Sequence, residues 1–339
     1  MASTLSPTDE AVQPVPLRVR RAGTGWGPFL LRRVVTIVVT FVVAVVVTFA
    51  IVPLIPGDPA VAAAGPDATL DRIEQTRREL GLDQPQIVRF ASYLGGPVQG
   101  DLGHSFSMNA PVAEVVFARL PFTTVLSFVA LLVVLLIAVP LGMTVGVLTR
   151  GGRRRWLDVV FGWSTAVISA IPPYVMATLL VLAFAIWIPI LPPATSRSRL
   201  GLSIILPMLA LALPSICGIA RIVRRETAVV REQDYMRTAT GWRLGLARRY
   251  LKYALPNLLT STLTLSGILL IGMLGGAITV ETVFAWPGLG LGLVNAVTNK
   301  DYPLIQGIVL VLAMLSALLV VLVDVVLAIV DPRVRTSHD

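Results

Sequence analysis

Few side chains in this 339-residue sequence could carry covalent chemistry. Its only histidines, His104 and His338, lie far apart, its only lysines are Lys252 and Lys300, and its single cysteine, Cys217, stands in apolar surroundings. A zinc or haem cluster within the chain is therefore not expected. Cys217 reads as a buried, inert thiol with no intrachain disulfide to make. No G-x-x-x-x-G-K phosphate loop occurs, so ATP, if used, is hydrolysed on another chain. Gly288-Leu289-Gly290-Leu291-Gly292 is glycine-rich but lacks the strand–turn–helix setting of a dinucleotide site. A tight turn at the outer membrane surface, where two backbones approach, is expected there instead. No catalytic, cofactor-binding or metal-binding residue is assigned, and the chain is not expected to be an enzyme.

What remains is charge. Between two apolar stretches lies an arginine-rich segment, Arg221 to Pro256, centred on Gln233-Asp234-Tyr235-Met236-Arg237-Thr238-Ala239. Arg221 to Tyr235 is compatible with a helix emerging from the membrane. Thr238-Ala239-Thr240-Gly241 is a small-residue stretch ending in a helix stop, and a second amphipathic run from Leu244 to Leu255 ends at Pro256. Small side chains at a bend let a partner approach closely, and flanking arginines offer charge-assisted hydrogen bonds to its carboxylates. An interfacial helix pair held by anionic lipid fits the same spacing.

The elements that must position this segment are membrane spans. The chain is 55% hydrophobic and 14% charged, with a mean hydropathy of +0.80. Apolar runs near the ~20 residues needed to cross a bilayer occur six times: Val34–Pro53, Phe122–Leu148, Val159–Ile186, Leu202–Ala220, Leu258–Val280 and Leu304–Val330. The net charge of +9 is concentrated in alternate loops: Arg18, Arg20, Arg21, Arg32 and Arg33, then Arg150 and Arg153–Arg155, then Arg221 to Lys252. The loop Pro53–Pro121 instead carries Asp58, Asp67, Asp71, Glu74, Glu79, Asp83, Asp101 and Glu114. Basic loops face the cytoplasm, so both termini and the arginine-rich segment lie inside and the 53–121 loop outside. This topology accounts for the basic charge, and no nucleic acid is expected.

Residues 1–28, rich in Ser, Thr, Pro and Gly, are expected to be a disordered cytoplasmic tail. The first apolar run, about 20 residues, exceeds a signal peptide's 7–15 and is expected to remain as a span despite the small residues Ala60–Ala64. In the outer loop, Thr69 can cap a helix with Leu70, Ile73 and Leu80 on one face and Gly81 as its C-cap. Pro85 can open a second, with Ile87, Phe90 and Leu94 inward and Gly95-Gly96-Pro97 as its stop. The pair makes either a docking platform or a packing loop. Pro172-Pro173, Pro207 and Pro214 are expected to bend or interrupt spans three and four, either lining a pathway or merely packing.

Asp234-Tyr235-Met236-Arg237-Thr238-Ala239, followed by Ala254-Leu255-Pro256-Asn257, resembles the cytoplasmic coupling loop of ABC-importer permeases. More specifically, it resembles the dipeptide/oligopeptide/nickel permease family, in the subunit with a large outer loop. Pro56-Gly57-Asp58-Pro59, Leu80-Gly81-Leu82-Asp83-Gln84-Pro85 and Gly100-Asp101-Leu102-Gly103-His104-Ser105 are similar to that subunit's outer-loop landmarks. Gly275-Gly276, Glu281, Phe284, Pro287-Gly288-Leu289-Gly290, Asp301-Tyr302-Pro303, Gln306-Gly307 and Asp331-Pro332-Arg333-Val334-Arg335 are similar to its closing pattern. Arg243 stands where the family has its loop glycine, so Gly241 or Gly245 is expected to supply the turn. Val320 stands where an asparagine is usual.

The resemblance implies an all-α polytopic protein of the bacterial plasma membrane, with six transmembrane helices and the type I ABC importer permease fold. The permease domain would span 29–335, with an outer loop at 53–121, a coupling loop at 221–256 and a short tail at 336–339. It implies one half of a heterodimeric pathway for short peptides, with nickel chelates, glutathione or haem as alternatives. The implied partners are a homologous second permease subunit, two ABC ATPase subunits binding ATP and Mg, and an extracytoplasmic substrate-binding protein. Gln233, Asp234, Tyr235, Arg237, Thr238, Ala239 and Gly241 would couple to the ATPase; Asp58, Asp101, Glu281, Phe284, Pro287 and Gly288 would serve the outer gate or docking. Glu281 is weighed against plain solvation. Asp324 is expected to be structural, pairing with an arginine of the second permease subunit or reaching the interface. An ion-coupled secondary transporter would need midplane carboxylates and an inverted repeat, and neither is visible. A membrane scaffold or receptor is the remaining rival.

Overall fold

The computed structural model describes residues 26–51, 58–65, 67–79, 81–152, 154–196 and 200–330. The expected tail up to residue 25, Pro56-Gly57, Leu80, the closing Asp331–Arg335 pattern and the 336–339 tail lie outside the described residues. Trp26, Gly27 and Pro28, assigned to the tail from sequence, are helical.

Beyond Arg32 and Arg33, helix α1 (Trp26–Ile51) is apolar on every side. Among its described side chains it buries Ala44, Val45 and Thr48, leaving a column of valines exposed as a lipid-facing surface would be. Asp58 caps α2 (Pro59–Ala64) by accepting from Ala60 N–H at 2.9 Å. Thr69 accepts from Arg72 N–H at the start of α3 (Leu70–Glu79), and Gly81 follows at φ +59°. The expected inward face of the second outer-loop helix needs correction: Ile87 is 83% and Leu94 37% exposed, and Leu70 on the first helix is exposed as well. α4 (Gln86–Gln99) also runs through Gly95-Gly96-Pro97, and it is Gly100, at φ +82°, that ends it. The inward residue is Phe90, whose ring packs edge-on against Phe49 of α1 at 5.1 Å. A two-residue hairpin, β1 (His104–Ser105) with β2 (Ala110–Pro111), leads into the spans.

α5 (Val112–Leu148) begins ten residues before the apolar run that signals it and, at about 55 Å, outreaches the bilayer core. The third span is broken. α6 (Arg155–Ala170) stops at Ile171, and after a 98° bend Pro173 opens α7 (Pro173–Val181), which continues as a π-helical turn to Trp187. Pro172-Pro173 thus does what the sequence suggests. The fourth span does not break at Pro207 or Pro214. After the short α8 (Leu200–Ser203), α9 (Ile205–Glu232) runs through both. Pro207 lies in its first turn, where an amide has no intrahelical partner anyway.

α10 (Asp234–Gly241) and α11 (Leu246–Arg249) lie in the arginine-rich segment. From α11 the chain passes through a π-helical stretch, Tyr250–Ala254, directly into α12 (Leu255–Val283). Pro256 therefore opens the fifth span's helix and does not close the run before it, again a first-turn proline. α13 (Leu289–Thr298) and α14 (Tyr302–Val330) complete the order. Among the described residues five helices are long and apolar enough to cross a membrane, and the bent α6–α7 pair, taken as one span, makes the expected six.

The main core joins α5, α6, α7, α9 and α12. Its tightest seam is α5 on α9. A methyl group added at Gly142 would collide with Ala220 O and Val223, and one at Gly146 would press on Thr227 at 3.0 Å. Two glycines four apart let helix backbones approach, the small-xxx-small pattern of membrane helices. Cys217 is buried and free, as expected.

Candidate functional site

α10 owes its form to one extended residue. Gln233 (φ −68°, ψ 147°) ends α9, and its carbonyl accepts from Met236 and Arg237 N–H at 3.0 and 3.2 Å, so helix resumes at once in a new direction. The short helix is two-faced. Met236 and Ala239, three apart, are 2% and 1% exposed. Asp234, Arg237, Thr238, Gly241 and Trp242, at the 3–4-residue spacing of one helix face, are exposed. Met236 packs with Val230 of α9, Tyr250 and Ala254 of the π stretch, Leu258 of α12, and Met143 and Val147 of α5. Tyr235 Oη accepts from Asn257 Nδ2 at 3.0 Å, tying α10 to the base of α12. Burial pushes the Tyr235 hydroxyl pKa up, against the smaller opposite effect of Asn257.

The bend after α10 corrects the sequence reading. Gly241 is inside the helix and Gly245 has an ordinary φ of −57°; the left-handed residue is Arg243, at φ +54°. The glycine position of the family pattern is thus a real conformational demand, met here by a residue with a Cβ. Arg249 braces the turn, donating to Thr240 Oγ1 at 3.1 Å and Leu244 O at 2.8 Å. Because a left-handed residue with a side chain costs roughly 1–2 kcal/mol relative to glycine, Arg243→Gly is expected to stabilise the protein by about 1 kcal/mol. Thermal unfolding of the purified variant checks this; an unchanged or lowered Tm is the opposite outcome.

The residues assigned to an outer gate or docking surface are mostly internal. Asp58, half-buried, pairs with Arg77 besides capping α2; Asp101 is exposed and accepts from Gly103 N–H at 2.8 Å. Glu281 is 0% exposed, neither solvated nor at a contact surface. Its carboxylate accepts from Thr123 Oγ1 at 2.7 Å, Gly290 N–H at 2.7 Å and Leu291 N–H at 3.2 Å. It thus caps α13 from α12, where free amides and the helix dipole favour an anion. Thr123 accepts in turn from Leu289 N–H at 2.8 Å. The glycine run is accordingly a helix start and not a tight turn. The close approach is real: side chains at Gly288 or Gly290 would collide with Glu281 or with the backbone at Ile278. Phe284 is buried, its carbonyl accepting from Thr195 N–H and Oγ1, and Pro287 is half-buried beside it.

Asp301 fastens the outer loop to α14, accepting from Ser105 Oγ at 2.6 Å and from Ser107 N–H and Oγ at 2.9 and 2.6 Å. Burial alone would raise this carboxyl's pKa, but the serine hydrogen bonds outweigh it and hold the group below the usual carboxylate value. Asp324, expected to pair with an arginine of a second subunit or to reach the interface, forms an ion pair within this chain, with Arg33 of α1 at 2.8 Å.

Sequence reasoning missed Thr123, Asn257 and Arg249, whose roles depend on residues far along the chain. It also missed Trp242, which helical spacing from Asp234 and Thr238 could have found.

Residues 138–336 match the family described as binding-protein-dependent transport system inner membrane component, and residues 28–127 match the N-terminal region of such components. A putative peptide transport system permease protein of Brucella abortus is 36% identical over 312 residues, covering 90% of this chain and 98% of its own. A probable peptide ABC transporter permease protein of Sinorhizobium fredii is 33% identical, covering 91% and 99%. A glutathione transport system permease protein of Escherichia coli is 35% identical, covering 91% and 98%.

Proposed function

This chain belongs to the family of binding-protein-dependent transport system inner membrane components, and we propose that its helix α10 is where ATP hydrolysis on separate subunits drives short peptides through the pathway it helps to form. It is a multi-pass inner-membrane permease subunit of an ABC importer. In the proposed assembly a homologous second permease completes the pathway. Two ABC ATPase subunits bind ATP and Mg below it, and an extracytoplasmic binding protein delivers substrate above.

The observation that carries this reading is the two-faced α10. Its outward face leaves Asp234, Arg237, Thr238 and Trp242 unburied, while its inward face is seated on α5, α9 and α12 together. A partner moving α10 therefore moves the inner ends of three helices at once. Such a partner shifts the equilibrium between inward- and outward-facing forms only if it contacts them differently.

Short peptides are the proposed substrate class because relatives named for peptide and for glutathione transport align over nearly the whole chain, and glutathione is itself a tripeptide. Reconstituting the permease pair with its ATPases and binding protein in proteoliposomes tests this. ATP-dependent uptake of di- to pentapeptides is expected. Uptake of nickel chelates or haem without any peptide would overturn the peptide reading.

A further inference from the structure

We propose that the cleft between α6, α9 and α12 is an inward-side station that accepts the free carboxylate of a passing peptide, with Arg221 as its principal donor. This rests on the peptide reading above. The cleft encloses about 620 Å³, within the roughly 300–1,000 Å³ of small-ligand sites. Ser169, Ser215, Arg221 and Arg225 line it among apolar walls that include Ile222, Leu265 and Ile268. Ile268 is 70% exposed on a membrane-spanning helix, so the cleft lies open on the side of α12.

The charge here is distinct from the general excess of arginine on the cytoplasmic side. Arg224, on the same helix, has its acid, an ion pair with Asp158 of α6. Among the described residues no carboxylate lies within 4.0 Å of Arg221 or Arg225, and none lines the cleft. Nor does Arg221 simply reach for the lipid headgroups along its own helix. Its guanidinium crosses to α6 and donates to Ser169 Oγ at 2.9 Å. Ser169 spends its own hydrogen on Ala166 O at 3.1 Å, so its oxygen is held as an acceptor for the arginine. Ser215 likewise donates to Leu211 O at 3.2 Å.

The result is a half-buried guanidinium with fixed position and spare donors. A second guanidinium stands one turn nearer the cytoplasm, and serine oxygens are left to accept from peptide N–H groups. A planar fork of this kind pairs with a carboxylate through two parallel hydrogen bonds. Arg221 lies about 18 Å of helix from Gln233, on the same α9 whose end abuts α10. Movement of α10 is therefore linked to the element that carries the station.

The test is titration of a dipeptide and of its C-terminal amide into the permease–ATPase complex without binding protein, in nanodiscs of zwitterionic lipid. The acid is expected to bind about tenfold more tightly than the amide, as one charge-assisted hydrogen bond implies. Arg221→Gln should remove that difference and Arg221→Lys should keep part of it. Equal binding of acid and amide, no binding of either, or a difference that survives in Arg221→Gln would each overturn the proposal. So would acid binding that phosphatidylglycerol in the nanodisc displaces, since that marks a lipid-headgroup site. ATP-driven peptide uptake, measured on the same complex with binding protein restored, separates the two readings. Absent uptake with intact acid selectivity would count against the peptide importer and not against the station.

Discussion

Asp234→Arg is expected to lower ATP-driven uptake more than tenfold while the protein remains in the membrane with its thermal stability unchanged. The side chain of Asp234 is fully exposed at the first turn of α10, and its one charged neighbour, Arg237, is 3.9 Å away and largely exposed itself. Surface pairs of this kind contribute little to folding, so the fold has little to lose. A partner surface complementary to this face has much to lose, because like charges set against each other cost several kcal/mol across an interface. A second substitution, Ala239→Arg, is expected to behave differently. On spacing alone Ala239 is one of the small side chains that let a partner approach closely. Its burial at 1% instead puts the new side chain into the seat beneath α10. Overpacking and an unpaired charge there are expected to cost about 3 kcal/mol or more and to deplete the protein itself. Measuring membrane-inserted protein beside uptake separates the two: Asp234→Arg should be present and inactive, Ala239→Arg scarce. Normal uptake in Asp234→Arg would remove α10's outer face from the coupling path.

Glu281→Ala is expected to be among the most destabilising single truncations in the chain. It leaves Thr123 Oγ1 and the amides of Gly290 and Leu291 without their acceptor, all in a buried site. An unsatisfied buried donor costs about 1–3 kcal/mol, so a loss of at least about 3 kcal/mol is expected. Glu281→Gln retains an acceptor oxygen and should lose less. Gly290→Ala tests the same junction by steric means, since its methyl would meet the backbone at Ile278. Thermal unfolding of the purified variants decides this. If Glu281→Ala melts like the parent, the junction between α5, α12 and α13 does not depend on this carboxylate.

How much was legible from sequence followed the range of the interaction. Spans announce themselves by run length and apolarity, and orientation by the alternation of arginine-rich loops, because bilayer thickness and membrane insertion act on local composition. The break at Pro172-Pro173 is also local, from proline sterics, whereas the turn expected at Gly241 or Gly245 is made at Arg243, the position where the family pattern has glycine. What escaped was set by distant partners. Asp324 could be recognised as a carboxylate needing company, but nothing near it in sequence points to Arg33. Glu281 was placed at the end of a span, where solvation or docking is reasonable, and only the return of α13 shows it to be a cap. Periodicity places Ile87 and Leu94 inward with Phe90, yet both are exposed: a short surface helix has two sides and periodicity does not say which is covered. One local signal was available and unused: Gly142-x-x-x-Gly146, the seam on which α5 and α9 meet.

The most direct test of α10 as the coupling element is cysteine cross-linking to the ATPase subunits. Cys217, the chain's single cysteine, is buried, and Cys217→Ser gives a background without native thiols in this chain. Cysteines placed singly at 234, 238 and 242 should each cross-link to an ATPase subunit, with yields that change between nucleotide-free and ATP-trapped complexes. One placed at 236, on the buried face, should not. Cross-links from 236 alone, or none from the three outward positions in any nucleotide state, would contradict the assignment.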